Sequence, residues 1–426
     1  MKAKRTLPVL ALLMSLAAYL NAASCAGESR PSSDQMVSIG SHRLQMHIEG
    51  KGTPPVVIDA GLADQLDKLG PLQERLARIT QVITYNRAGY GQSEPGPVPR
   101  HSGREAEELK ALLEKAAVPG PYLLVGHSLG ALNMQVFASR GKPNPAFGEV
   151  AAEYQKYWVG QSRALAKRST NSKFVLAEEA THYLYLDVPE LVAENILSVV
   201  LEVRAKTSSI IAKCAEAMGG MSRIKAVRTL RLEVVYPDHD ASAVLHEIRL
   251  PNQIRTERPG EYVAIFDGRT GVLLKYDPAK PGQPPVPQDL PAEAARGFET
   301  DLGWFFPLFF NLPAEYAGIV ESNGEKCYKL IVSLPLGTRA EYLIDPRTYM
   351  VKTVAVDETF QGQTFHMERE WLDFKSVQGI IYPSRMTYPG RDGKMATARL
   401  QKIEFNPVLA EDRFKIQAAV ARQSEI

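Results

Sequence analysis

One short segment constrains the fold of this chain more strongly than any other. The apolar run 121–125 leads directly into the sequence Gly-His-Ser-Leu-Gly at 126–130, and residues that favour helices follow it. Glycines on either side of Ser128 allow a strand to turn sharply into a helix, because a residue without a Cβ atom lets the two elements approach closely. The pattern therefore predicts a strand, a tight turn and a helix, with the hydroxyl of Ser128 projecting from the turn.

Strand-like and helix-like stretches alternate around this segment, from residue 36 to about residue 206. The runs 37–48, 55–59 and 79–85 are extended in character, and 104–117 carries apolar residues at helical spacing. Alternating strands and helices favour a mostly parallel sheet that is covered by helices. We therefore predict an α/β domain at 36–206.

The pattern changes after residue 206. Runs that alternate between apolar and polar residues continue towards the end of the chain, and turn signals such as Asn323-Gly324 and Asp392-Gly393 separate them. This arrangement is typical of antiparallel hairpins. We therefore predict a separate, curved antiparallel β domain at 207–426.

The first residues have the composition of a targeting segment. Lys2, Lys4 and Arg5 precede an apolar stretch at 7–20, which is shorter than the ~20 residues that a membrane-spanning helix needs. Small residues follow, as they do at the cleavage site of a secretory signal peptide. We predict a signal peptide at 1–24, then a polar tether at 25–35, and export of the protein.

The sequence Ala-Ala-Ser-Cys that ends at Cys25 resembles the lipobox of bacterial lipoproteins, whose cysteine receives a lipid. A larger aliphatic residue is usual at the position of Ala22. Two alternatives stay open: a protein anchored to the membrane through a lipidated Cys25, and a freely secreted product. The predicted location is the periplasm or the outer membrane.

Charge and composition argue against several classes of function. The formal net charge is only +2 and gives no sign of a phosphate-binding surface, so we do not expect nucleic acid as a partner. The eight histidines and three cysteines form none of the usual metal-binding spacings, and we predict neither a metal nor a cofactor. Cys214 and Cys327 either pair in an oxidising compartment or stay free.

Several motifs in the first domain together resemble the α/β-hydrolase superfamily. They are the segment around Ser128, the run Val-Val-Ile-Asp-Ala-Gly-Leu at 56–62, the stretch 85–93 with Asn86 in place of the usual acid, and the segment 174–191. The resemblance implies a minimal, lidless α/β-hydrolase-like sheet whose final strand is Phe-Val-Leu at 174–176.

The same resemblance assigns roles to four residues. Ser128 is the candidate nucleophile, and His182 is the candidate base that takes its proton and later returns it to the leaving group. The backbone N–H groups of Leu62 and Leu129 are the candidate donors of the oxyanion hole. The substrate implied is a small ester or a related acyl compound.

The chain departs from the family pattern between the candidate nucleophile and the candidate base. Only 54 positions separate Ser128 from His182, so two strands, any lid and the usual catalytic acid have no place. Asp187, which precedes Pro189, is better interpreted as a helix N-cap than as the acid. The other candidates for the acid are weak: Glu149, Glu153, Glu178 and Glu179. An active dyad, a triad with a relocated acid and a decayed hydrolase all stay open.

The second domain resembles the LolA-like family of outer-membrane lipoprotein carriers and sorting proteins. The resemblance covers about 212–416 and depends on diffuse motifs, among them 215–220, 341–345 and 379–385. It implies a lipid or lipoprotein ligand on a concave apolar face. The aromatic cluster at 303–310 either lines such a cavity or fills the core.

Two functions from different classes follow. The first is an exported serine hydrolase that acts through Ser128 and His182 on an ester or related acyl substrate. The second is a non-catalytic hydrolase fold that serves as a scaffold for binding of envelope lipid or lipoprotein by the second domain.

Overall fold

The computed structural model describes residues 32–138, 164, 167, 174–177, 180, 183–237, 243–280, 282–360, 363–389 and 394–416. The chain divides into two compact units, 1–202 and 203–426. Several predicted features lie outside the described residues: the signal peptide at 1–24, Cys25, His182 and four candidates for the acid, Glu149, Glu153, Glu178 and Glu179.

The first unit contains a mixed sheet of five strands in its described part. Its strands are β1 Ser32–Ser38, β2 Arg43–Glu49, β3 Val56–Asp59, β4 Val82–Tyr85 and β5 Leu123–Gly126, in the spatial order β1-β2-β4-β3-β5. The last three strands in that order run parallel, whereas β2 pairs antiparallel with both β1 and β4. The α/β class predicted for this half is confirmed, with antiparallel pairing at one end of the sheet.

Helices cover both faces of this sheet. They are α1 Gly70–Ala77, α2 Ser102–Lys115, α3 Leu129–Ala138, a short α4 Leu184–Asp187 and α5 Pro189–Ala217, which contains the boundary between the units. Because side chains alternate along a strand, Val56 and Ile58 of β3 pack with α1 and the first part of α5, while Val57 packs with α2 and α3. β3 therefore contributes side chains to a core on each face of the sheet.

Three local predictions for this half are wrong. Residues 174–177 form no strand, although their apolar sequence favours one. β1 begins at Ser32, so the end of the predicted tether at 32–35 belongs to the sheet. Asp187 is the last residue of α4, and Val188 is the residue that precedes α5.

The second unit is built on a curved antiparallel sheet of 13 strands in the described residues. The predicted antiparallel sheet is thus confirmed. From one edge to the other the order is β11-β10-β9-β8-β7-β6-β18-β17-β16-β15-β14-β13-β12. The bounds are β6 Thr229–Val235, β7 Ala243–Arg249, β8 Gln253–Arg258, β9 Tyr262–Phe266, β10 Gly271–Lys275, β11 Val286–Asp289, β12 Ala314–Ser322, β13 Glu325–Ser333, β14 Arg339–Ile344, β15 Val351–Phe360, β16 Gln363–Val377, β17 Ile380–Pro389 and β18 Met395–Phe405.

Helices supply much of the core that lies against this sheet. The end of α5, α6 Met221–Ala226 and α7 Ala292–Phe305 contribute buried side chains to one large apolar cluster. The aromatic cluster at 303–310 belongs to it: Trp304, Phe305, Phe306 and Phe309 are all buried. These side chains therefore fill the core.

Two further features of the described residues bear on the predictions. Cys214 and Cys327 are both buried and free, so they do not form a disulfide with each other. Among the helices of the described residues, none is both long enough and apolar enough to span a bilayer.

Candidate active site

The sequence around Ser128 forms the predicted sharp turn between β5 and α3. Ser128 has a φ angle of 52°, in the left-handed region that residues with a side chain adopt only at a cost of about 1–2 kcal/mol. A Cβ atom at Gly126 would collide with the backbone of Ala131, and one at Gly130 would collide with the carbonyl oxygen of Asp59. Both glycines are therefore required by the packing of the turn.

The loop after β3 lies beside this turn because β3 and β5 are parallel neighbours. Asp59, the last residue of β3, pairs with Gly126, the last residue of β5, and its carbonyl oxygen accepts a 3.0 Å hydrogen bond from the backbone N–H of His127. A Cβ atom at Gly61 would lie only 2.7 Å from Nδ1 of His127. The chain segments that carry Leu62 and Ser128 thus leave the sheet at one edge.

Arg87 binds the first residues of the loop after β3. Its guanidinium donates to the backbone carbonyl oxygens of Ala60 at 2.6 Å and Gly61 at 2.5 Å, and to Oδ1 of Asp59 at 2.6 Å. Burial raises the pKa of Asp59, and the positive charge of Arg87 opposes that shift. The loop is therefore fixed through its backbone by a buried ion pair.

The same buried carboxylate connects β3 to the helix that follows Ser128. Nδ2 of Asn133, on α3, donates to Oδ2 of Asp59 at 2.9 Å and to Oε2 of Glu105 on α2 at 2.6 Å. Asp59, Arg87 and Asn133 were not among the predicted site residues. The available signal was the motif at 85–93, which contains Arg87 just after the strand-like run 79–85.

Asn86, the departure from the family motif, has a structural role. Its side-chain oxygen accepts a 2.9 Å hydrogen bond from the backbone N–H of Leu66, and its Nδ2 donates to Oε1 of Gln45 at 2.7 Å. An aspartate at this position would keep the first bond and lose the donor for the second. The amide therefore joins the far end of the loop after β3 to β2.

A second buried carboxylate, Asp64, lies at the end of the same loop. Nζ of Lys68 lies 2.9 Å from its Oδ1, the hydroxyl of Tyr185 donates to Oδ2 at 3.2 Å, and Nδ1 of His127 lies 3.6 Å from Oδ2. Hydrogen bonding to Asp64 raises the pKa of Lys68. Burial, together with the charge of Asp64, raises the pKa of Tyr185 well above its ordinary value. Tyr185 therefore stays protonated and donates.

Aromatic rings and exposed apolar side chains surround this cluster. The ring of His127 lies 5.6 Å from that of Tyr183, the residue that follows His182 in the chain, and 5.0 Å from that of Tyr185. Leu62 is 66% exposed, and Leu184 and Leu186 on α4 are also exposed. The loop after β3 and α4 therefore both present apolar side chains to solvent.

Of the four predicted site residues, the structure describes three. Ser128 and Leu129 lie at the turn, and Leu62 lies in the adjacent loop, whereas His182 lies outside the described residues. No group of three or more potential metal ligands occurs in the described residues.

Comparison with known proteins finds a family match within the first half of the chain. The family model for the alpha/beta hydrolase fold matches residues 54–146. An uncharacterized protein of Bacillus subtilis, YqjL, is 31% identical over 114 residues, which is 25% of this chain and 45% of that protein. An AB hydrolase superfamily protein of Gibberella zeae is 33% identical over 88 residues, 20% of this chain and 27% of that one. The chain spans less than half the length of the curated relatives it matches.

Among solved structures, the chain is similar to a CIB-like hydrolase from Thermoplasma acidophilum, at 15% identity and a TM-score of 0.33 over 42% of this chain and 100% of that one. It is also similar to an outer membrane lipoprotein-sorting protein domain from Vibrio parahaemolyticus, at 13% identity and a TM-score of 0.29 over 50% of this chain and 97% of that domain. The match to the alpha/beta hydrolase fold thus covers residues 54–146 in the first unit, and the described part of the second unit is an antiparallel sheet domain.

Proposed function

We propose that this protein is an exported serine hydrolase that cleaves an ester or a related acyl compound. The observation that carries the proposal is the conformation of Ser128. The serine sits in the left-handed region between two glycines whose Cβ atoms would collide with neighbouring backbone. Strained backbone of this kind is typical of functional sites, and it exposes a serine hydroxyl for attack on an acyl carbon.

The proposed chemistry uses the residues in the roles that the family resemblance implies. Oγ of Ser128 attacks the acyl carbon while His182 takes its proton, and the alcohol leaves with that proton. Water then cleaves the acyl-enzyme and restores the serine. The backbone N–H groups of Leu62 and Leu129 donate to the oxyanion that forms in each step.

The exposed side chains around the turn favour an apolar acyl group as the substrate. Leu62, Leu184 and Leu186 are large apolar residues that the fold leaves in contact with water, and covering them with an acyl chain would be favourable. We also propose that the second unit binds lipid or lipoprotein, as its resemblance implies. Both ligands are consistent with a location in the bacterial envelope.

A fluorophosphonate probe tests the catalytic proposal on the full-length chain. We expect covalent labelling of wild type and of a Ser102→Ala control, and no labelling of Ser128→Ala, because only an activated serine reacts with the probe. The measurement is the probe signal per mole of folded protein, with mass spectrometry of the labelled peptide. A folded wild-type protein without label would contradict the proposal and favour the non-catalytic scaffold.

A further inference from the structure

Three separate chain segments must meet to form the proposed active site. They are the loop after β3 with Leu62, the turn with Ser128, and the segment that leads from His182 into α4. The resemblance to hydrolases implies a catalytic acid that orients the base, yet the usual position for that acid is missing from this sequence. Asp64 is a buried carboxylate with a contact to each segment.

The first contact joins Asp64 to the turn. Oδ2 of Asp64 lies 3.6 Å from Nδ1 of His127, the residue directly before Ser128. Packing here is close, since a Cβ atom at Gly61 would lie 2.7 Å from Nδ1 of His127 and 2.8 Å from Oδ2 of Asp64. The loop therefore approaches the turn closely at Gly61, with the carboxylate of Asp64 beside the ring of His127.

The second contact joins Asp64 to α4. The hydroxyl of Tyr185 donates a 3.2 Å hydrogen bond to Oδ2, and only 4% of the surface of Tyr185 is exposed. Tyr185 follows His182 by three residues, and its ring also lies edge-on to the ring of His127. The carboxylate thus binds the start of α4, which follows the proposed base in the sequence.

The charge of Asp64 is balanced from outside the cluster. Nζ of Lys68, a half-exposed side chain, lies 2.9 Å from Oδ1, so one carboxylate oxygen faces the lysine and the other faces Tyr185 and His127. Both carboxylate oxygens of Asp64 therefore have a neighbouring donor group.

We infer that Asp64 is a positioning residue of the proposed hydrolase, which joins the loop after β3, the turn at Ser128 and the segment after His182. The inference rests on the proposed function. Leu62 lies two residues before Asp64, and Leu129 lies two residues after His127, so the contact between Asp64 and His127 joins the two segments that carry the proposed oxyanion donors. A shift of either segment would change the separation of those donors, which weakens binding of the transition state more than binding of the substrate.

The test compares Asp64→Asn with Asp67→Asn, an equal change of charge at an exposed position three residues away. The readouts are the rate of fluorophosphonate labelling at Ser128, kcat and KM for p-nitrophenyl butyrate, and thermal stability. We expect Asp64→Asn to lower kcat by roughly 10- to 100-fold with KM changed by less than about twofold. Asp67→Asn should stay within about twofold of wild type in both.

Tyr185→Phe provides a second variant, and it decides the question if Asp64→Asn does not fold. It keeps the ring beside His127 and removes only the hydroxyl, so we expect a smaller fall in kcat at unchanged KM. Adding formate to Asp64→Ala should recover part of the labelling rate, because a small carboxylate can occupy the vacated position. Formate should not affect wild type.

Three results would overturn the inference. Asp64→Asn and Tyr185→Phe with wild-type kcat would show that the contacts do not matter for catalysis. A loss of activity that only follows the fraction of unfolded protein, without recovery by formate, would show a structural role alone. Absence of labelling in wild type would contradict both the proposed function and this inference. Because wild type is measured before any variant, this outcome is distinguished from a failure of the inference alone.

Discussion

At the scale of single residues, the turn around Ser128 depends on two glycines, which have no Cβ atom. Gly126 and Gly130 are the positions where a Cβ atom has no room, since the backbone of Ala131 and the carbonyl oxygen of Asp59 occupy that space. The missing Cβ atoms allow α3 to begin close to β3 and β5, directly after Ser128. The two glycines are therefore structural requirements of the site.

Gly130→Ala should destabilise the protein by about 1–3 kcal/mol, because the added methyl group forces α3 away from β3. The free energy of unfolding in urea measures the effect. Gly70→Ala is the matched control in the same unit, since nothing lies within 4 Å of a Cβ atom there. Equal stabilities of the two variants would contradict the packing argument.

At the scale of elements, the second unit buries polar groups between its sheet and α7. His246 on β7 is enclosed, with Nδ1 3.1 Å from the hydroxyl of Thr256 on β8 and its ring 4.5 Å from the ring of Phe305 on α7. Burial lowers the pKa of His246 to about 3, and the positive charge of Arg369 adds to that shift. The packing of α7 against the sheet thus requires a neutral imidazole.

This burial predicts a pH dependence of stability. Below about pH 6.5 the unfolded chain takes up a proton on His246 that the folded chain does not, so stability falls as the pH decreases. Between pH 6 and 5 this histidine should contribute a slope that approaches about 1.4 kcal/mol per pH unit. Unfolding in urea at several pH values measures that slope, and His246→Gln should lack this contribution.

The control for that experiment is His366, which is exposed and pairs with Asp357 and Glu368. Hydrogen bonding to these acids raises the pKa of His366, so its contribution to stability has the opposite sign and decreases as the pH rises. His366→Gln should leave the slope from His246 in place. An unchanged slope in His246→Gln would contradict the prediction.

At the scale of the whole molecule, the two units have separate cores. The buried apolar residues of the large cluster in the second unit all lie between Ile210 and Phe405, while those of the two cores of the first unit lie between Leu44 and Val200. α5 contributes to a core on each side of the boundary at 202/203. Each unit therefore has the apolar side chains that a domain needs.

The fragment 203–426 should fold alone, because the buried residues of its large core are all within it. A cooperative urea transition measured by circular dichroism checks this. The shorter fragment 229–426 is the control: it lacks Ile210, Cys214, Met218 and Ile224, and should lose cooperativity. If the proposed lipid ligand binds this unit, the folded fragment should bind fluorescent fatty acids more tightly as their chains lengthen.

Prediction from sequence succeeded where the signal is local. The predicted turn at Asn323-Gly324 is observed between β12 and β13, because the two turn residues lie directly between the strands that they connect. The turn at Ser128 is likewise encoded within five residues. In contrast, the run 174–176 has the composition of a strand but forms none, since a strand also requires a partner with free backbone groups.

Residue patterns predicted the order of the two domains, their classes and the sharp turn at Ser128, because hydrophobic period and glycine position act over a few neighbouring residues. The contacts of Asp64 and Asn133 are seen only in the folded chain, since their partners Tyr185 and Asp59 lie 121 and 74 positions away along the sequence. The role of a buried polar side chain depends on the residues that contact it in the folded protein. No local sequence pattern encodes such long-range contacts, so the sequence did not predict that Asp64 lies beside the proposed site.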